Sequence, residues 1–95
     1  MSANPPTAFH VVSSKPFESD VKKLTKRNKQ LLQIVKDLLA ELRRDPYTGI
    51  GVSKLTDVKH GEGQYRIRSG NYRIRFDIDN HNVIPHSFTH RKDTY

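Results

Sequence analysis

The chain has 95 residues, a formal net charge of +7 and no cysteine. This length supports one small domain, and the lack of cysteine excludes thiol catalysis, cysteine-ligated zinc and a disulfide framework, so a reducing cytoplasm is the expected location. No apolar run approaches the roughly 20 residues that a membrane-spanning helix needs, and no membrane partner is predicted.

The N-terminus predicts a short leader before one domain. Residues 1–7 have neither the basic start nor the apolar stretch of a secretory signal, so we interpret them as a disordered leader. Residues 8–14 have the β-branched and aromatic bias of a short strand. This leaves residues 8–95 as the single folded domain.

Two helices are predicted next. Ser14, followed by Lys15-Pro16, favours a helix N-cap, and the spacing of apolar residues predicts a short amphipathic helix that ends near residue 24 or 25. From about residue 26 to Arg44, a wide apolar stripe indicates a second, longer helix. Asp45-Pro46 should end it, because proline disfavours the helical conformation of the residue before it.

The second half of the chain predicts a connecting loop and three strands. Residues 46–64 show little periodicity and are interpreted as a loop, and residues 65–78 form a hairpin around Gly70-Asn71. A last strand runs from Val83 to Arg91. Pro85 lacks an N–H, which places it at a sheet edge, at a bulge or before the true start of the strand. The expected fold is therefore α+β with element order β-α-α-β-β-β, in which both helices cover one face of a small antiparallel sheet.

Alternation in the hairpin places four arginines on the face opposite the helices. With Gly70-Asn71 as the loop, Arg68 lies opposite Arg73, and Arg66 lies opposite Arg75. A loop at Ser69-Gly70 would shift the pairing but would leave all four on the same face. Like charges across an antiparallel pair are destabilising, so the cluster indicates an anionic partner, and guanidinium groups match phosphate with two hydrogen bonds at a time.

Positive charge is concentrated in two segments. Residues 21–46 contain eight basic and three acidic residues, and residues 65–76 contain the four arginines and no acid. Such blocks on a small domain favour nucleic acid as the partner. An acidic protein partner is the second interpretation, and a solvated basic face is the alternative to both.

Three segments resemble the RelE/ParE superfamily of bacterial and archaeal toxins: Lys54-Leu55, residues 65–79 and the closing residues 90–95. The resemblance implies a microbial-ribonuclease-like domain that acts as the toxin of a type II toxin–antitoxin pair. RelE-like members cut mRNA in the ribosomal A site, without a metal or other cofactor, by attack of the ribose 2′-hydroxyl on the adjacent phosphate. ParE-like members keep the fold and poison DNA gyrase. Both bind a cognate antitoxin, and the antitoxin complex can bind operator DNA.

The resemblance also implies roles for matched positions. Arg73 matches an arginine that contacts the scissile phosphate, Arg91 matches a second one, and Tyr95 matches a terminal tyrosine that stacks on a base or helps with proton transfer. Arg66 and Arg68 stand where RelE-type members often carry lysines. Because arginine stays protonated in proteins, these two can stabilise charge but cannot accept the 2′-hydroxyl proton.

Histidines are the candidates for proton transfer, because their charge changes near neutral pH. His90 beside Arg91 is preferred to His60 in the loop, although alternation places His90 with Ile84, His86 and Phe88, which equally suits a packed core histidine. The predicted site has a catalytic set, a nucleic-acid-binding set and no metal: Arg68, Arg73, His90, Arg91 and Tyr95 in the first, and Lys54, Arg66 and Arg75 in the second.

The function expected from the sequence is a ribosome-dependent mRNA endoribonuclease that a cognate antitoxin inhibits. A gyrase poison without nuclease activity is the principal alternative. A basic nucleic-acid-binding domain with no toxicity is the third.

Overall fold

The computed structural model describes residues 9–94, and only the backbone of the last two. The predicted leader at residues 1–7 and Tyr95 lie outside the described residues. The elements, in chain order, are β1 (His10–Val11), α1 (Lys15–Arg27), α2 (Leu31–Arg44), β2 (Val52–Lys54), β3 (Tyr65–Ser69), β4 (Tyr72–Asp79), β5 (Asn82–His90) and a short 3-10 helix (Arg91–Thr94). The α+β class with two N-terminal helices is confirmed.

The N-cap of α1 also attaches that helix to the sheet. The Ser14 Oγ accepts the N–H of Phe17 at 3.3 Å and donates to the carbonyl oxygen of Pro85 at 2.7 Å. Further along α1, the Asp20 carboxylate accepts the N–H of Phe88 at 3.1 Å. Helix α1 therefore supplies partners for backbone groups of β5 where the two-residue β1 no longer pairs with it.

The break between the helices falls later than the sequence predicts. Helix α1 continues to Arg27, and α2 begins only at Leu31. Between them, the Asn28 side chain accepts the N–H of Gln30 at 3.0 Å, a local bond that competes with helix continuation. At its other end α2 stops at Asp45 as predicted.

The sheet has five strands in the order β1-β5-β4-β3-β2. Ser69 pairs with Tyr72, so the predicted two-residue hairpin loop and its register are confirmed, and Gly70 supplies the positive φ of 57°. The structure differs from the prediction in two details. Strand β1 pairs with β5 in parallel, which makes the sheet mixed, and part of the predicted loop at 46–64 is strand β2, paired with β3.

A β-bulge accommodates Pro85 in β5, which lies between β1 and β4 and is not an edge strand. The β4–β5 register passes from Arg75 opposite Ser87 to Phe76 opposite Pro85, so His86 is left without a cross-strand partner. The bulge changes which face each β5 residue occupies. The sequence-based placement of Ile84 and His86 beside Phe88 was therefore wrong.

The core lies between the two helices and one face of the sheet. It consists of apolar residues from both layers: Phe17, Val35, Leu38 and Leu42 from the helices, and Ile67, Ile74, Phe76, Ile78, Val83 and Phe88 from the strands. Helices cover this face as predicted, which leaves the opposite face, with the arginines, for function.

Candidate functional site

The predicted pairing of the four arginines is confirmed, with Arg68 opposite Arg73 and Arg66 opposite Arg75. We call this side of the sheet the arginine face. This face is not wholly open to solvent. Arg68 is exposed, but only 8% of Arg73 is accessible, and the loop of residues 55–64 folds across the part of the face that lies beyond Arg75.

Arg73 is a buried cation whose Nε finds no hydrogen-bond partner within residues 9–94. Neither Arg73 nor its cross-strand neighbour Arg68 pairs with a carboxylate in the described part of the chain, and the other cross-strand neighbour of Arg73 is the neutral Thr89. Burying an unsatisfied guanidinium donor is unfavourable, so this position is suited to receive an anion.

Arg75 is placed differently from Arg73. Its Nε donates to the Gly63 carbonyl at 3.1 Å, and its Nη2 donates to the same oxygen at 2.8 Å and to the Glu62 carbonyl at 3.0 Å. The guanidinium of Arg75 is thus engaged with the loop.

Asp77 fixes the other side of the same loop. Its carboxylate, 1% exposed, accepts the backbone N–H groups of Gly61, Gly63 and Gln64, each at 3.0 Å, and contacts His86 Nε2 at 2.6 Å. Burial raises the pKa of Asp77, but these hydrogen bonds and the His86 imidazole outweigh that effect and hold the pKa below its ordinary value. Asp77 is therefore an ionised carboxylate on the arginine face.

Two predicted site residues lie on the other side of the sheet. His90 pairs with Tyr72, whose ring stacks on the core residue Phe88, and the His90 ring meets the Tyr72 ring edge-on at 5.0 Å. Lys54 pairs with Tyr65, and its Nζ lies 5.7 Å from the centre of that ring. The structure therefore does not bring either residue onto the arginine face.

The backbone of Arg91 lies next to the hairpin turn, at the Arg68–Arg73 end of the sheet. Its N–H donates to the Asn71 carbonyl at 2.6 Å, and its side chain is exposed. It begins the 3-10 helix and does not continue β5. Tyr95, the other C-terminal member of the predicted site, is outside the described residues.

Sequence reasoning missed the importance of Asp77 and His86. Asp77 follows Arg73 and Arg75 at the same strand spacing, so its place on the arginine face could have been derived from alternation. The role of His86 could not, because it depends on the bulge. His60 is exposed and lies on the loop of residues 55–64, in a turn that the hydrogen bond from the Glu62 N–H to the Lys59 carbonyl closes.

The mixed sheet with two helices on one face and clustered arginines on the other agrees with the RelE/ParE resemblance of the sequence. The family model for the ParE toxin of type II toxin–antitoxin systems, parDE, matches residues 11–95. The chain belongs to this family, and the resemblance inferred from the sequence is confirmed. No curated protein sequence matches the chain significantly.

Solved structures share the fold at low identity. A chain of the RelBE2 toxin–antitoxin complex from Mycobacterium tuberculosis is 24% identical, with a TM-score of 0.68 and coverage of 88% of this chain and 99% of that one. The RelB–RelE antitoxin–toxin complex from Methanococcus jannaschii gives 23% identity, a TM-score of 0.68, and coverage of 88% and 94%. The YoeB dimer from Staphylococcus aureus gives 22% identity and a TM-score of 0.68, with coverage of 84% of this chain and 93% of that one. These likenesses establish the fold.

Within residues 9–94, no helix is both long enough and apolar enough to cross a bilayer.

Proposed function

We propose that this chain is the toxin of a type II toxin–antitoxin pair and that it cleaves mRNA in the ribosomal A site. The observation that carries the proposal is the buried guanidinium of Arg73, which lies opposite Arg68 and whose Nε has no hydrogen-bond partner among the described residues. Such a group is preorganised for an anion, and the RNA phosphodiester is the anion that the family resemblance suggests.

Cleavage by 2′-hydroxyl attack develops negative charge on the phosphate oxygens in the transition state. Arg73 is proposed to bind the scissile phosphate from the sheet, with Arg68 directly across the strand and Arg91 next to the hairpin turn as further cations. Preorganised donors of this kind are each worth about 10²- to 10³-fold in rate. The mechanism needs no metal ion, because the charge is balanced by these side chains.

The remaining predicted positions take secondary roles in the proposal. Arg66, one row further from the turn, contributes to the positive potential that attracts the RNA backbone. Arg75 contributes through its charge, since its guanidinium is hydrogen-bonded to the loop. Lys54 is proposed to contact RNA at the sheet edge, outside the arginine face.

The candidates for proton transfer are ranked by the face of the sheet on which the imidazoles lie. His90 lies on the helix side of the sheet, where its Nδ1 accepts the N–H of Lys92 at 3.1 Å, and we therefore rank it below Tyr95. Tyr95 retains the stacking or proton-transfer role that the resemblance implies. His60 remains the second imidazole candidate, because its loop crosses the arginine face.

The antitoxin is the proposed protein partner. Two of the solved structures with this fold are toxin–antitoxin complexes. Residues 22–29 carry five basic side chains and no acidic one, and these basic side chains line surface pockets together with apolar Leu24 and Leu32. This surface suits an acidic amphipathic segment of an antitoxin. In the absence of antitoxin, the same charges would track phosphates of ribosomal RNA, and binding of the antitoxin complex to operator DNA follows from the family alone.

A gyrase poison is the second candidate, and it is favoured by the match to the ParE toxin family model and by the position of His90. His90, the histidine preferred as a base, lies on the helix side of the sheet and not on the arginine face. A cationic surface that only binds its target needs no base.

Expression in cells separates the two candidates. Growth arrest with rapid mRNA loss and no DNA-damage response supports the nuclease, and growth arrest with DNA-damage signalling and intact mRNA refutes it in favour of the gyrase poison. Arg73→Ala and Arg91→Ala should each abolish arrest, while Arg43→Ala, which removes an exposed arginine from the last turn of α2, should not.

A further inference from the structure

Strand β4 grips a single loop with two residues of opposite charge. Arg75 holds the carbonyl oxygens of Glu62 and Gly63, and Asp77 holds the N–H groups of Gly61, Gly63 and Gln64. We call this arrangement the loop clamp. In the two peptide units between Glu62 and Gln64, the carbonyl is bonded to Arg75 and the N–H to Asp77. The loop is therefore fixed to β4 through its backbone.

The backbone of Gly63 is shaped for this contact. Its φ is +84°, and a Cβ at this position would lie 3.1 Å from Arg75 Cβ and 3.3 Å from Arg75 Nε. A side chain would therefore be strained at Gly63 and would push the guanidinium off its carbonyl partners. The glycine at position 63 is therefore what allows the loop to approach Arg75 closely.

The clamp makes Arg73 and Arg75 unlike as positions for an anion on β4. At the hairpin end, the Arg73 Nε is buried and unpartnered in the described chain. About 7 Å along the strand, Arg75 already donates three hydrogen bonds, and the next residue on this face is the ionised Asp77. An anion at Arg75 would have to displace these bonds and lie near a carboxylate, whereas an anion at the Arg73 Nε would displace no hydrogen bond from the described residues.

We propose that Asp77 and Arg75 are positioning residues that clamp residues 61–64 onto the sheet, and that this clamp leaves Arg73, and not Arg75, as the arginine of β4 that binds an anion. The identity of the anion as an RNA phosphate rests on the proposed function, but the preference for Arg73 over Arg75 does not. In a nuclease, the clamp keeps the scissile phosphate at one register along β4.

His86 supports the clamp from β5. The bulge at Pro85 turns the His86 imidazole towards the Asp77 carboxylate at 2.6 Å, which leaves Asp77 with four partners. Asp79 offers a matched control, because it lies two residues beyond Asp77 on the same face of the same strand but is exposed. Asp79→Asn removes the same charge as Asp77→Asn without removing the carboxylate that holds the loop.

The test is an NMR titration of the free protein with inorganic phosphate, read at the arginine Nε–H signals. In the wild-type chain, phosphate should shift the Arg73 signal and leave the Arg75 signal in place. In Asp77→Asn the Arg75 signal should also respond, and hydrogen exchange of the amides that Asp77 binds should quicken by about tenfold or more. Asp79→Asn should behave as the wild type does.

Equal shifts of the Arg73 and Arg75 signals in the wild-type chain would overturn the proposal, and this result does not depend on whether Asp77→Asn folds. Unchanged amide protection in a folded Asp77→Asn would also overturn it. If the phosphate response is confined to Arg73 but the protein leaves mRNA intact on ribosomes, the clamp is supported and the nuclease function is refuted.

Discussion

Replacing Arg73 by methionine should stabilise the protein and abolish its activity together. Methionine keeps an unbranched side chain of similar reach and removes both the charge and the unpartnered Nε donor. An unsatisfied buried donor costs about 1–3 kcal/mol, and relief of the like-charge pair with Arg68 adds about 0.2–1 kcal/mol. We expect the free energy of unfolding to rise by about 1–4 kcal/mol.

Thermal unfolding gives the first readout. For a domain of this size, each kcal/mol shifts Tm by about 4–8 °C, so an increase of at least about 4 °C is expected for Arg73→Met. Phosphate should raise Tm of the wild-type protein, since a ligand that binds the folded state stabilises it, and this gain should be smaller in Arg73→Met. Arg43→Met, at an exposed position on α2, should change neither Tm nor the phosphate effect appreciably.

The opposite result would refute the reasoning about Arg73. A fall in Tm of several degrees in Arg73→Met would mean that the guanidinium stabilises the fold, and its burial would then be no sign of an anion site. Retention of wild-type mRNA cleavage by the same variant would remove Arg73 from the mechanism. A rise in Tm with loss of cleavage is the combination that the structure predicts.

Three further outcomes follow from the fold. Gly63→Ala should lower the free energy of unfolding by about 1–2 kcal/mol in urea titration, because of its positive φ and its contact with Arg75, and unchanged stability would contradict this account of the loop. Ser14→Ala should cost about 1–2 kcal/mol, since it removes both the cap of α1 and the bond to Pro85; Ser13→Ala, just outside the helix, is the control and should be near neutral. The lowered pKa of Asp77 predicts stability that is present above the ordinary carboxyl pKa of about 4 and is lost as the pH falls through the folded-state pKa. Acid unfolding curves should therefore be shallower in Asp77→Asn, and identical curves would show that Asp77 is not linked to folding.

Local signals were sufficient to predict the parts of the fold that depend on short-range patterns. The Ser14 cap, the end of α2 at Asp45 and the hairpin register at Gly70-Asn71 each arise from a few adjacent residues. Strand β2 was missed because a strand of three residues is too short to give a clear alternating pattern, and because its pairing with β3 is a tertiary contact. The parallel pairing of β1 with β5 was also missed, because it too is a contact between distant parts of the chain.

The site was only partly predictable for a related reason. Alternation correctly grouped the four arginines, because β3 and β4 pair without irregularity over the positions that carry them. It failed in β5, where the bulge skips one residue and changes the face of Ile84 and His86. It also gave no indication that the loop before β3 folds back onto Arg75 and Asp77, since such backbone contacts leave no pattern in the side chains.

The central claim is that this member of the ParE toxin family cuts mRNA on the ribosome. The most direct measurement is primer extension on a defined mRNA incubated with the purified protein, with and without programmed ribosomes, and with EDTA in the free-RNA arm. We predict cuts at A-site codons of ribosome-bound message that disappear in Arg73→Met and persist in Arg43→Met. Intact mRNA in both arms, together with inhibition of gyrase in a supercoiling assay, would contradict the account and establish the gyrase poison instead.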